Sequence, residues 1–78
     1  MAPIREYRAL TPESLDALER AVREARRVAL RRRGTEYVVV AVGLVTGDID
    51  ESLEGRLPMT GEVLSFRLRE LEAFAILP

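Results

Sequence analysis

The longest amphipathic pattern in the chain runs from Thr11 to about Arg33 and predicts a helix. Apolar residues recur there at alternating steps of three and four, which places them on one helical stripe. The stripe consists of Leu15, Leu18, Val22, Ala25 and Ala29. Thr11 is a suitable N-cap, and Pro12 suits the first helical position because its missing N–H has no helical partner there. Gly34 follows and can adopt the left-handed conformation that ends a helix, so the helix is expected to stop before it.

A run of β-branched and aliphatic residues from Tyr37 to Val45 predicts a strand whose two faces are both covered. One helix covers only one face of a sheet, so we expect a second layer or a partner chain on the other face. The sequence therefore predicts self-association through an apolar sheet face. The candidate interface residues are Val38, Val40, Val42, Leu44, Phe66 and Leu68, and the opposite set of this strand is Val39, Ala41 and Val45.

Three weaker patterns predict further strands and turns. Ile4 to Leu10 is typical of a short strand, and Ser52 to Leu57 alternates as an edge strand does before Pro58 ends it. The motifs Thr-Gly-Asp-Ile at 46–49 and Thr-Gly-Glu-Val at 60–63 predict two similar turns that lead into strands.

The last segment, Glu62 to Leu77, is compatible with two structures. Its alternation favours a long strand with a bulge or bend near Glu70. The alternative is a helix with an apolar face formed by Leu64, Leu68, Leu71 and Ala75. With the strand interpretation, the chain is expected to form a single α/β domain over residues 1–78. Its predicted class is α+β, a two-layer β-α-β-β(-β) fold in which one long helix packs on a mainly antiparallel sheet.

Composition narrows the chemistry that this chain can perform. Lys, His, Cys, Trp, Asn and Gln are all absent from its 78 residues. Without His, Cys or Lys there is no imidazole that titrates near neutral pH, no thiolate and no amine nucleophile. The sequence therefore predicts that the protein is not an enzyme and uses no cofactor. The joint absence is typical of a chain chosen to fit a backbone, so we expect a designed or redesigned protein.

With a net charge of −1, from 12 arginines and 13 acidic residues, the chain has no global attraction to a polyanion or a membrane surface. The one basic cluster consists of Arg26, Arg27, Arg31, Arg32 and Arg33. It lacks the interleaved aromatic residues of a nucleic-acid site, so pairing with the acidic segment 34–62, within the chain or between chains, explains it better. No stretch approaches the ~20 apolar residues of a membrane span, and the Met1-Ala2-Pro3 start lacks the order of a signal peptide. We therefore expect a soluble cytoplasmic protein that binds neither nucleic acid nor membranes.

Acidic residues offer the remaining candidate chemistry. The segment 48–52 begins like a calcium loop, but Leu53 stands where that loop needs glycine and Met59 where it needs glutamate. The carboxylate pairs that could perform acid–base catalysis are Asp48 with Asp50 and Glu70 with Glu72. Such catalysis needs a cleft, which a chain this small seldom has. We interpret these acids as solvated turns and strand surfaces, so no metal site is predicted.

The order of the predicted elements resembles the dodecins, small proteins that assemble into hollow dodecamers and hold flavins. The matching stretches are 7–11, 25–27, 36–38 and 61–66. The resemblance implies an oligomer with a flavin site, in which a tryptophan stacks on the flavin and a glutamine hydrogen-bonds it. This chain has neither residue type, and Tyr37 is the candidate for the stacking role.

These observations predict a structural module or a self-assembling homo-oligomeric subunit without catalytic function. The first alternative is a designed protein that binds another protein and is monomeric alone. The second alternative is a dodecin-like oligomer that binds flavin.

Overall fold

A computed structural model describes residues 7–78 as one helix packed on a five-stranded antiparallel sheet, which confirms the α+β class. The elements in chain order are α1 Pro12–Arg23, β1 Arg27–Arg32, β2 Thr35–Thr46, β3 Glu51–Arg56, β4 Val63–Arg67, a 3₁₀ helix Leu68–Glu70 and β5 Ala73–Ile76. The strands lie in the order β4-β3-β2-β1-β5. The first four strands therefore form a meander, and the fifth returns to the free side of β1.

Helix α1 begins as predicted. Thr11 is its N-cap, with a side chain that accepts from the Ser14 N–H at 3.2 Å. The Ser14 hydroxyl in turn accepts from the Thr11 N–H at 2.8 Å. Each side chain therefore accepts a hydrogen bond from the backbone N–H of the other residue, which is the arrangement called a capping box. The helix packs on the sheet through the buried residues Leu18 and Ala21.

The helix ends well before the predicted stop. It closes in a Schellman turn, in which the Ala25 N–H donates to the Val22 carbonyl at 3.2 Å and the Arg26 N–H to the Ala21 carbonyl at 2.9 Å. Ala25 takes the left-handed conformation of that turn, with φ 52°. The predicted helix is therefore wrong beyond Arg23.

Residues 27–32, predicted as helix, form strand β1 in the middle of the sheet. Residues 28–30 are completely buried, whereas a helix with one apolar stripe would bury only part of such a run. Gly34 does not end a helix. It forms a two-residue hairpin turn with Arg33, and their φ values of 77° and 52° are those of a type I′ turn.

Strand β2 confirms the predicted strand, but a bulge divides it. The pairing with β3 passes from Ala41 opposite Gly55 to Gly43 opposite Glu54, so Val42 is an extra residue. Beyond the bulge, odd-numbered and even-numbered side chains exchange faces. We call the face toward α1 the inner face and the opposite one the outer face.

The bulge lets the sheet fold over its own inner face. Leu44, Leu53 and Phe66 stand side by side on β2, β3 and β4, and a straight β2 would place Tyr37 roughly 20 Å along the strand from them. Instead, the ring centroids of Tyr37 and Phe66 are 5.4 Å apart, and the guanidinium of Arg32 lies 5.2 Å from the Phe66 ring. The sheet is therefore a half-closed barrel with one core.

That core combines α1 with both halves of the bent sheet. It consists of Leu18, Ala21, Val28, Leu30, Val39, Ala41, Leu53, Phe66, Leu71 and Phe74. On the outer face, no second layer covers β2 among the described residues: Val42 and Val45 are each 48% exposed. The described residues therefore supply no second layer on this face, and its cover by a partner chain stays a prediction.

The last segment forms two strands and not one. β4 and β5 lie at opposite ends of the strand order, and the 3₁₀ helix carries the chain between them. The long strand and the helical alternative are both wrong, although the chain does bend at Glu70 as predicted. β3 lies between β2 and β4, so its predicted position at the edge is also wrong. The turns predicted at 46–49 and 60–63 do lead into β3 and β4.

The predicted first strand, Ile4 to Leu10, lies partly outside the described residues. Within residues 7–10 the structure has a single bridge, between Arg8 and Phe74 of β5. Residues 4–6 are not described.

Candidate functional site

Strand β4 is the open edge of the sheet. It pairs with β3 on one side, and no described residue pairs with its other side. At the opposite edge, the Arg8 N–H donates to the Phe74 carbonyl at 2.7 Å, and the Phe74 N–H donates to the Arg8 carbonyl at 3.0 Å. The chain therefore covers the centre of its β5 edge itself and leaves the β4 edge free within the part that is described.

Alternate residues of β4 direct their backbone groups toward this open edge. The Leu57 N–H donates to the Glu62 carbonyl at 2.8 Å, so these two residues form a hydrogen-bonded antiparallel pair. Hydrogen-bonded pairs alternate with non-hydrogen-bonded pairs along an antiparallel ladder. Leu64 and Phe66 therefore belong to hydrogen-bonded pairs, and their N–H and C=O groups bond to β3. The N–H and C=O groups that point outward belong to Val63, Ser65 and Arg67.

Strand β4 lacks several of the features that commonly protect an edge from pairing, and its one charged residue, Arg67, lies at its end. Protected edges use proline, bulges or inward-pointing charges. The sequence of β4 is Val-Leu-Ser-Phe-Arg, its inner-face residues are Leu64 and Phe66, and its pairing with β3 has no bulge. Val63 is 51% exposed beside this edge. The β4 edge can therefore accept a further strand.

The outer face of β2 holds part of the predicted interface. Val38 and Val40 lie there, both half-buried, and Val42 is exposed at the bulge. The neighbouring outer-face residues on β3 are Ser52, Glu54 and Arg56. This polar strand interrupts the apolar surface between β2 and β4, so an exposed apolar face is not continuous across the sheet.

The other predicted interface residues lie elsewhere. Phe66 is completely buried in the core. This burial contradicts its prediction as an interface residue. Leu44 points to the inner face because the bulge shifts the register by one residue. Leu68 opens the 3₁₀ helix and lines a shallow apolar groove with Leu10 and Leu15.

The predicted basic cluster is dispersed. Arg27 and Arg31 lie on the outer face of β1, Arg32 on the inner face, Arg33 in the hairpin turn and Arg26 beside α1. Ion pairs among the described residues join Arg26 to Glu24 at 3.4 Å, Arg67 to Glu70 at 4.0 Å and Arg69 to Asp50 at 3.4 Å. The sheet register places Arg31 directly opposite Glu36 of the acidic segment 34–62. The pairing of the cluster with that segment, within the chain or between chains, stays a prediction.

The candidate carboxylates serve local contacts. Asp50 faces Arg69 across the space between the β2–β3 loop and the 3₁₀ helix, and Asp48 is exposed. The Glu72 carboxylate accepts from the Gly34 N–H at 2.8 Å, which ties the hairpin turn to the start of β5. Within residues 7–78, no group of three or more acidic side chains is arranged to hold a metal ion.

Tyr37, which the dodecin resemblance gives a stacking role, stacks on residues of its own chain. Its ring is tilted by 59° against Phe66, and the guanidinium of Arg32 lies 5.1 Å from its centroid. The ring is half-buried in this arrangement. It contributes to the closure of the barrel.

Sequence reasoning missed two features. The first is the open edge of β4. The alternating pattern predicts a strand there, but the edge position depends on the strand order, which alternation does not encode. The second is a groove lined by Arg8, Arg20 and Arg26, and it was missed because these arginines are far apart in the sequence. No periodic or spacing signal connects them.

No helix in the described part of the chain is both long and apolar enough to cross a membrane. Comparison of the sequence with models of protein families and with curated proteins gives no match. The case for a function therefore rests on the geometry of the molecule.

Proposed function

We propose that the protein is a structural subunit that assembles with a second copy of itself through the open edge of β4. The observation that carries this proposal is the row of backbone groups on Val63, Ser65 and Arg67 that no described residue pairs, on a strand without proline, bulge or inward-pointing charge. The occupant that we propose is another β4 strand. No catalytic step is part of this function.

An antiparallel pairing of two β4 strands centred on Ser65 uses all of these groups. In this register Ser65 faces the partner's Ser65, and Val63 faces the partner's Arg67. No two like charges then stand opposite each other, and like charges in that position would destabilise the pair. The net charge of −1 adds little repulsion between copies.

The opposite edge argues for a closed dimer. A head-to-tail assembly would need β4 of one copy to pair with β5 of the next, and Arg8 already occupies the backbone groups of Phe74 there. A β4-to-β4 contact is related by a two-fold axis and closes after two copies. We therefore expect a dimer and neither a ring nor a filament.

Light scattering after size exclusion, across a hundredfold range of concentration, tests this directly. We expect a mass that rises to twice the 8.8 kDa of one chain. Ser65→Pro removes one outward N–H but no bond to β3, so this variant is expected to stay folded and monomeric. Ser65→Thr keeps the N–H and serves as the matched control, which we expect to dimerise like the parent chain.

Circular dichroism establishes that both variants are folded. A parent chain that remains monomeric at every concentration would contradict the proposal and favour a binder of another protein. A mass above the dimer would show that β5 takes part and would contradict the two-fold arrangement.

A further inference from the structure

A cavity of about 220 Å³ opens on the side of the molecule away from β4, between α1, β5 and the segment that precedes the helix. Among residues 7–78, its polar lining consists of Arg8, Arg20, Arg26 and Glu24. Ala17 and Ala21 lie one helical turn apart and form a wall of small side chains, which leaves the space open. Three arginines from three parts of the chain therefore line one concave site.

Arg26 is held in place at this cavity. Its Nη2 donates to the Leu77 carbonyl at 2.9 Å, and its Nη1 lies 3.4 Å from a Glu24 oxygen. The residue is half-buried, so its orientation is largely set before any ligand binds. Preorganised donors lose less entropy when they bind a ligand.

Arg8 and Arg20 have donors to spare. Neither forms a side-chain hydrogen bond or an ion pair with another described residue. The backbone of Arg8 is fixed by its two bonds to Phe74, and its guanidinium lies 5.8 Å from the Phe74 ring. Each guanidinium carries five donors in a planar fork that matches the oxygen atoms of a phosphate group.

The charge of the cavity differs from that of the molecule. The described part of its lining, three arginines and one glutamate, has a formal charge of +2, in a chain of net charge −1. Ile76 and the two alanines supply apolar walls, which strengthen electrostatic attraction inside the cavity. Among the described residues, the one acid that lines the cavity is Glu24, and it faces Arg26 and neither of the other two arginines.

The geometry points to a binding site for the phosphate group of a small molecule in this cavity. The donors of Arg8 and Arg20 bind the phosphate oxygens, and Arg26 contributes its remaining donors. This site is independent of the proposed dimer, because it lies on α1 and the β5 side and not on β4.

Calorimetric titration with inorganic phosphate, at constant ionic strength maintained with sodium chloride, tests the site. We expect saturable binding of one phosphate per chain. Glycerol phosphate is titrated in parallel: tighter binding than inorganic phosphate assigns the site to phosphate esters, and weaker binding assigns it to the free ion. Shifts of the Ala21 and Arg26 amide resonances locate the bound anion.

Arg20→Gln removes a lining guanidinium and is expected to weaken binding about tenfold, the effect of one charge-assisted contact. Arg23→Gln removes the same charge from the same helix but does not line the cavity, so it is expected to change affinity by less than about twofold. Equal losses of phosphate affinity in the two variants would show that phosphate is attracted by the overall positive charge of this region. That result would overturn the proposed site. Absence of saturable binding to either probe would overturn it as well.

Discussion

At the scale of single residues, two positions adopt backbone conformations that their side chains disfavour. Ala25 and Arg33 both have φ 52°, in the left-handed region where a residue with a Cβ costs about 1–2 kcal/mol. Ala25 stands where a Schellman turn usually has glycine. The helix therefore stops without the usual sequence signal, which is why the pattern predicts a helix that continues to Gly34. Idealised designs place glycine at such a helix end, and Ala25 departs from that choice. The designed origin of the chain stays a prediction.

Ala25→Gly should therefore stabilise the protein. Glycine adopts the left-handed conformation freely, and the gain is reduced by its greater entropy in the unfolded chain. We expect the free energy of unfolding to rise by about 0.5–1 kcal/mol in urea denaturation. The control is Ala17→Gly in the helix interior, which is expected to lower it by about 1 kcal/mol. A loss of stability in both variants would contradict the left-handed conformation of Ala25.

At the scale of elements, the bent sheet depends on one close approach. Gly55 of β3 lies against Val39 of β2, and a Cβ built on Gly55 would be 2.4 Å from Val39 Cγ2 and 2.8 Å from Val39 Cβ. Val39 is completely buried and β-branched, so its side chain cannot rotate away. The alternation of β3 predicts a strand there, but only the contact with β2 explains why the strand contains glycine.

Gly55→Ala is expected to lower the free energy of unfolding by about 1–3 kcal/mol through overpacking. Gly43→Ala is the matched control in β2, since a Cβ there would meet Glu54 Oε1 at an ordinary 3.5 Å. Chemical denaturation of both variants gives the comparison. If the clash with Val39 is the cause, Gly55→Ala combined with Val39→Ala will show a favourable coupling of about 0.5–3 kcal/mol relative to the two single variants. A purely additive double variant would rule out this cause.

At the scale of the whole molecule, the two edges of the sheet decide how copies can meet. The first residues described cover β5 through Arg8, and nothing in the described chain covers β4. The proposed assembly through β4 would stabilise the folded state by mass action, because the unfolded chain cannot form this contact. The thermal midpoint then depends on protein concentration.

We expect the thermal midpoint of the parent chain to rise as its concentration is increased a hundredfold. The Ser65→Pro variant, as a monomer, should have the same midpoint at every concentration. Differential scanning calorimetry at matched concentrations measures both. A midpoint that is constant for the parent chain would count against the dimer independently of the light-scattering result.

The sequence by itself determined the helix start at Thr11, the strand around Val39, the two turns before β3 and β4, and the α+β class. These features depend on caps, periodicity and turn residues, which act over a few neighbouring residues. The absence of His, Lys and Cys likewise led to the prediction of a non-catalytic protein, which remains a prediction.

The tertiary structure alone decided where the helix ends, which strands lie at the edges and which face Leu44 occupies. Residues 27–32 form a strand because β2 and β5 bond to both of its sides and bury its centre, a gain that outweighs local helical periodicity. The same long-range pairing separates β4 from β5 and leaves one edge open. Local patterns cannot encode that choice, because it depends on partners that are distant in the sequence.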